Sequence, residues 1–129
     1  SNVAYTSANY NGVGLYSYSN GTLTLIASSL NDGNIWQTAS SNSMGSKAFS
    51  SQINLNSGIY YIGMVYSASA GGPPTFASST PNTQTNQTSF DFTNSAKLSA
   101  TLSSTNTLPS SVAMSSLSVS TIGYFMWLY

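Results

Sequence analysis

The pair Asn20-Gly21 sits between two alternating runs, Gly14-Leu15-Tyr16-Ser17-Tyr18-Ser19 before it and Thr22-Leu23-Thr24-Leu25-Ile26 after it. Asn-Gly is the residue pair best suited to the two positive φ angles of a type I′ turn, which joins antiparallel strands without fighting their twist. The chain is thereby committed to a β-hairpin near its start. Leu23 and Leu25 fall on one face and Thr22 and Thr24 on the other, the period of two that marks a strand buried on one side.

Strand-like segments then recur to the end of the chain at spacings of about ten to twenty residues, separated by Gly, Asn, Ser or Pro. Residues 47–55 read as a third long strand, with Phe49, Ser51, Ile53 and Leu55 on one side, and Asn56-Ser57-Gly58 turns it back. Residues 59–66 are apolar at almost every position. Such a run is expected at the centre of a sheet, covered on both faces, and Gly63 inside it marks a bulge or a close approach of another backbone. From 67 to about 87 periodicity is lost around Gly71-Gly72-Pro73-Pro74 and Pro81, with Thr75-Phe76-Ala77 as a short strand. A connection this long is usually functional or mobile. Short strands are expected at 89–92 and 97–102, a turn then a strand over 107–112, and a buried terminal strand over 122–129.

No stretch of ten or more residues carries a sustained 3.6-residue period, and Ser, Thr and Asn favour caps and turns over helix interiors. One short helical turn at most is expected, at 29–32 or 93–96. The fold class is all-β, a two-sheet antiparallel β-sandwich of the jelly-roll kind with about eight strands. With 129 residues the chain forms one domain.

Composition then narrows function. The charged side chains are Lys47, Lys97, Asp32 and Asp91, 3% of the chain, and Ser, Thr, Asn and Gln make up nearly half of it. A disordered chain combines low hydrophobicity with high net charge, whereas this one is 40% hydrophobic with zero net charge, so it folds. Two lysines without an arginine cannot form a track along phosphates, which excludes nucleic acid as a partner. Without Cys or His, thiolate and imidazole metal sites and Ser-His or Cys-His mechanisms are ruled out. Zero cysteine suits either the cytosol or an extracellular protein held by sheet packing. No window approaches ~20 apolar residues, so no membrane insertion is expected. A chain starting at Ser1-Asn2 without Met is expected to be a piece of a longer one.

The two carboxylates do not make a convincing glycosidase pair, which needs two groups facing each other across a bond. Asp32 lies in Asn31-Asp32-Gly33-Asn34, a turn sequence whose aspartate usually bonds local backbone. Asp91, between Phe90 and Phe92, is expected to be exposed or paired with Lys97. The Asn31-Asp32-Gly33-Asn34 loop lacks the ligand spacing of a calcium site. Composition permits a Lys-Asn crosslink without any motif demanding it, and the sequons at Asn20 and Asn86 are what chance supplies in such a chain. The chain is expected to be no enzyme and to need no cofactor or metal.

What remains is contact by neutral groups. Tyr and Trp offer rigid amphipathic area and Ser, Thr and Asn adaptable hydrogen bonds. That palette suits sugars, whose apolar face stacks on aromatic rings while hydroxyls pair with amides. Trp36, after the turn at Asn34, and Tyr10, beside Asn11, are expected ligand contacts together with Asn34, Asn11 and Phe76. The two apolar runs raise a second possibility, that an identical subunit covers Tyr60, Tyr66, Tyr124 and Trp127.

The order Val13-Gly14-Leu15-Tyr16, an Asn-Gly turn, Leu23-Thr24-Leu25-Ile26-Ala27-Ser28, then Leu55-Asn56-Ser57-Gly58-Ile59-Tyr60-Tyr61-Ile62-Gly63, then Leu108-Pro109-Ser110-Ser111 before a closing aromatic strand resembles the C-terminal β-sandwich modules of tailed-phage tail fibres and minor tail proteins. The resemblance runs from about Val13 to Tyr129, and it departs from those modules in the near absence of charge and in the long Ser, Thr and Asn loop between Tyr66 and Lys97. It implies a virion part at the tip of a fibre, a homotrimer, that touches a host surface receptor, most often a glycan. The alternatives are a structural assembly subunit of a capsid, pilus or surface layer, and a carbohydrate-binding module of a secreted enzyme.

Overall fold

In the computed structural model the described residues are 11–35, 46–66, 78–79, 100–103, 105–120, 123–124 and 128. They form an all-β, antiparallel structure with no α-helix among them. The strands among the described residues are, in chain order, β1 Gly12–Ser19, β2 Thr22–Ser28, β3 Ile59–Val65, β4 Ser78–Ser79, β5 Ala100–Thr101, β6 Ser111–Ala113, β7 Ser118–Val119 and β8 Gly123–Tyr124. The main sheet has four strands in the order β3-β1-β2-β6, and β4-β8 and β5-β7 form two-stranded pairs.

The hairpin is where the sequence places it. Ser19 pairs with Thr22, and Asn20 and Gly21 adopt φ of 47° and 77°, the left-handed pair of a type I′ turn. The turn also holds the end of the neighbouring strand β6, because the Met114 N–H donates to the Gly21 carbonyl at 2.8 Å.

Down the hairpin the register slips once. Tyr16 opposes Leu25 but Leu15 opposes Ala27, which leaves Ile26 as an extra residue, a β-bulge that is 38% exposed. Leu25 and Ala27, two positions apart, thus oppose residues of β1 that point to opposite faces. Leu15 and Tyr16, neighbours on β1, are 0% and 5% exposed. Side chains of successive residues leave a strand on opposite sides, so the sheet is covered on both faces at its middle.

The Tyr16 face carries the core. Tyr16, Leu23, Val112 and Met114 are buried together, and Tyr18, Leu25, Tyr61, Leu102, Leu108 and Leu117 pack against them. Each such aliphatic side chain taken from water stabilises the fold by roughly 1.5–3 kcal/mol. Leu102 follows β5 and Leu117 precedes β7, so the β5-β7 pair is brought over this face.

Two glycines make room for that layer. Gly14 and Gly63 face each other across β1 and β3. A methyl group at Gly14 would come within 2.8 Å of a Leu25 carbon and 2.9 Å of a Leu108 carbon, and one at Gly63 within 2.8 Å of the Tyr16 ring. The Tyr16 ring is fixed at its far end, where the hydroxyl donates to the Pro109 carbonyl at 2.9 Å. Gly63 therefore marks a close approach of a side chain, where a bulge or another backbone was expected.

Other expectations are corrected. Residues 59–66 do not lie at the centre of the described sheet: β3 ends it, and β1 and β2 are central. Ile59 is 52% exposed, and only Val65 of β3 is buried. A run of apolar residues reports covered faces, not which edges are paired. Residues 47–55 are not a strand. β6 pairs with β2 over Thr22–Thr24, and this segment touches the other end of β2, where the Ser50 N–H donates to the Ser28 carbonyl at 2.9 Å. Phe49 and Ile53 are half-buried while Leu55 is 43% exposed.

The segment 29–32 is no helical turn; the helical turn among the described residues is a 3-10 turn at Met114–Ser116. It follows β6 directly, and Met114, 1% exposed, is driven into the core there. The strand expected over 107–112 is present as β6, that over 97–102 is reduced among the described residues to β5, and of the terminal run Gly123–Tyr124 pairs with Ser78–Ser79 while Leu128 is 46% exposed. The expected strands at 75–77 and 89–92 and the possible helical turn at 93–96 lie outside the described residues.

Two substitutions test this arrangement. Gly63→Ala is expected to cost about 1–3 kcal/mol in denaturant unfolding, the range for overpacking, and more than Gly14→Ala, because the atoms near Gly14 are the mobile ends of leucines. Asn20→Ala is expected to cost about 1–2 kcal/mol for a left-handed non-glycine residue without a helpful side chain, and Asn20→Gly much less. Equal stability of Asn20→Ala and wild type contradicts the turn assignment.

Candidate functional site

Two places among the described residues gather polar or aromatic side chains. The first is the loop that follows β2. Instead of leaving the sheet, residues 29–32 continue along the start of β1 with side chains standing in for backbone. The Val13 N–H donates to Ser29 Oγ at 3.1 Å while the Ser29 N–H donates to the Val13 carbonyl at 2.9 Å. The Asn11 N–H donates to Asn31 Oδ1 at 2.8 Å, and the Asp32 N–H donates to the Asn11 carbonyl at 3.0 Å.

Asp32 then closes a turn on itself: its Oδ1 accepts the Asn34 N–H at 2.9 Å, and its carbonyl accepts the Ile35 N–H at 3.1 Å. This is the local backbone role that its turn sequence implied. Its other oxygen, Oδ2, pairs with Lys47 Nζ. The hydrogen bond from Lys47 and the one from the Asn34 N–H hold the Asp32 carboxyl below its ordinary value, against a smaller opposing push from burial. Lys47 and Asp32 are 28% and 32% exposed, so solvent screens the pair. Both charges are thus occupied with each other and with a turn.

The second place is a cleft of about 450 Å³ between β3 and the chain from Ala100 to Leu117, within the size range of small-molecule pockets. Tyr16 and Met114 belong to its floor, Tyr61 and Tyr66 come from β3 and the residue after it, and Thr101, Thr105 and Thr107 come from the opposite side. No charged side chain is among the described residues that line it. Leu108 and Pro109 complete it, held in place by the bond from the Tyr16 hydroxyl.

The Thr105 hydroxyl is committed to its own loop, donating to the Thr107 carbonyl at 2.9 Å. Tyr61 is steadied by Tyr18, whose ring meets it edge to face at 6.3 Å between centroids and 71° between planes. Burial, with a smaller contribution from Tyr18, raises the pKa of the Tyr61 hydroxyl.

Of the sequence-derived candidates whose side chains are described, Tyr66 lines the cleft. Asn11 is 1% exposed, and its backbone is engaged with the following loop. Asn34 is exposed at the end of the Asp32 turn. Trp36, Tyr10, Phe76 and Trp127 lie outside the described residues, as do Asp91 and Lys97. Of the residues expected at a subunit interface, Tyr60 is half-buried and its hydroxyl donates to the Asn56 carbonyl at 2.8 Å. Tyr124 lies on β8, and Tyr66, 48% exposed, reaches the cleft.

Sequence reasoning missed the cleft because its walls come from segments some forty residues apart that no motif links. The one usable signal was Gly63 within an apolar run. Among the described residues no group of three or more Asp, Glu, Cys or His side chains could hold a metal ion, and no helix is long and apolar enough to cross a membrane.

The Asp32 pair generates a pH prediction. A carboxyl whose folded pKa lies below its unfolded value stabilises the fold above that unfolded value, and the contribution is lost as pH falls through the folded pKa. Asp32 should therefore titrate below the ordinary aspartate range when followed by carboxyl carbon shifts, and Lys47→Met should move its midpoint up. An unmoved midpoint contradicts the pairing.

Comparisons with protein-family models, with curated proteins and with solved structures found no match, so no family is shown for this chain.

Proposed function

We propose that the chain is a non-catalytic attachment module, the tip domain of a phage tail fibre, that binds a neutral glycan on a host cell surface. The observation that carries this reading is that the described charges cancel: Asp32 and Lys47 hold each other, and every other described side chain is uncharged. Recognition then falls to aromatic faces, hydroxyls and amides, the groups that meet the apolar face and the hydroxyl rim of a sugar. The order of short motifs from Val13 to Tyr129, similar to that of tail-fibre tip modules, supports the same reading.

In this reading the four-stranded sheet is one layer of a jelly-roll sandwich. The β5-β7 pair above Tyr16 and the burial of both Leu15 and Tyr16 are consistent with that layering. Three copies at a fibre tip turn weak single sites into firm attachment, because the second and third contacts form at high effective concentration. Trp36, Tyr10 and Phe76 are the expected ligand contacts of this module, and its location is the virion or otherwise extracellular.

A second reading, a structural assembly subunit, is favoured by exposed large apolar side chains, with Leu30 71% exposed and Ile59 52% exposed. Light scattering together with binding to a glycan array and to whole cells separates the two. Attachment predicts a trimer that binds glycans, and binding that survives replacement of Asp32 and Asp91 together by Asn. A protein that assembles yet binds no glycan or cell contradicts it, as does activity traced to either aspartate.

A further inference from the structure

Resting on that reading, we infer that the cleft between β3 and the chain from Ala100 to Leu117 is a subsite for a single neutral sugar ring, with Tyr61 and Tyr66 as its aromatic contacts and Thr101 and Thr107 on its polar rim. Its lining is apolar at the floor, through Leu23, Val112 and Met114, and carries hydroxyls at the mouth, where Thr101 and Thr107 are exposed. A pyranose divides in the same way, into a carbon-hydrogen face and a rim of hydroxyls. A charged sugar or a phosphate finds no counter-charge among the described lining residues, and leaving an ion unpaired against an apolar floor is costly.

The Tyr61 hydroxyl strengthens the assignment. It lines the cleft half-buried, and no hydrogen bond joins it to another described residue. A half-buried hydroxyl that is not committed to the protein is available to a sugar hydroxyl in the cleft. Its neighbour Tyr60 has its own carbonyl partner in Asn56, and Tyr16 has Pro109. Tyr66 stands differently: it is 48% exposed at the mouth, available to a ligand without disturbing the core.

Pre-organisation comes from residues already described. The Tyr16 hydroxyl bond to Pro109 fixes the Leu108-Pro109 wall, and Gly14 and Gly63 let that wall approach β3. The Tyr18 ring sets the position of Tyr61. A site of this kind binds without the cost of ordering loose side chains.

The test titrates the isotope-labelled full chain with the methyl glycosides of glucose, galactose and N-acetylglucosamine and follows its spectrum, with the same glycosides carried over to Tyr61→Phe and Tyr66→Ala. At least one glycoside should shift signals of Tyr61, Tyr66, Thr101 and Thr107. Tyr61→Phe, which removes one oxygen and keeps the ring, should weaken binding about fivefold, and Tyr66→Ala about tenfold. Binding that is undiminished in both variants, or shifts confined to other residues, overturns the cleft assignment and leaves the attachment reading standing. If no glycoside perturbs the wild type the cleft assignment also falls. The glycan array and whole-cell assay then decide the attachment reading separately, since a positive array with a silent cleft places recognition elsewhere on the chain.

Discussion

The hydroxyl bond from Tyr16 to the Pro109 carbonyl holds two layers of chain together at a point where the sheet has been cleared to receive them. Tyr16 belongs to β1, one of the two central strands, and Pro109 to the segment that leads into β6. Between them the Tyr16 ring and Leu108 lie over the facing glycines 14 and 63. Fill either glycine and the ring or the leucine must move. The core on that face, the wall of the cleft and the course of the chain into the Met114–Ser116 turn all follow from this contact.

The second constraint is electrical. The full chain carries two lysines and two aspartates and no arginine, glutamate or histidine. Among the described residues the side chains outside the Asp32–Lys47 pair offer shape, stacking and neutral hydrogen bonds. The loop after β2 shows the same economy internally, using the Ser29 hydroxyl and the Asn31 amide as substitutes for ladder carbonyls. Asp32 and Lys47, the described ionised pair, are spent on closing that loop.

Much of this could be read without coordinates. Asn20-Gly21 specifies its turn because few other residue pairs accept two positive φ angles. Leu108-Pro109-Ser110-Ser111 before Val112 reads correctly as a turn entering a strand. The bulge at Ile26 was not legible, because an inserted residue inside an apolar stretch leaves the alternation on paper intact while reversing the faces in space. Nor was the position of β3 at the end of the described sheet, since pairing of edges depends on distant segments. Residues 47–55 have the alternation of a strand yet meet β2 through the Ser50 to Ser28 backbone bond and form no ladder with it. The cleft joins Tyr61 and Tyr66 to Thr101 and Thr107 through topology alone, and Asn11, polar and set among turn residues, gave no sign that it would be buried.

Recognition by uncharged groups has a signature that ionic recognition lacks. The proposed attachment can be measured with the intact protein on whole cells as a function of sodium chloride, from about 0.01 to 1 M, a span over which the screening length falls from ~30 to ~3 Å. The account predicts an affinity that is flat or rises slightly across that span, because nothing in the contact is screened and apolar faces are not weakened by salt. A steep fall in affinity with salt would contradict it, since that would require charges that the described surface has already paired.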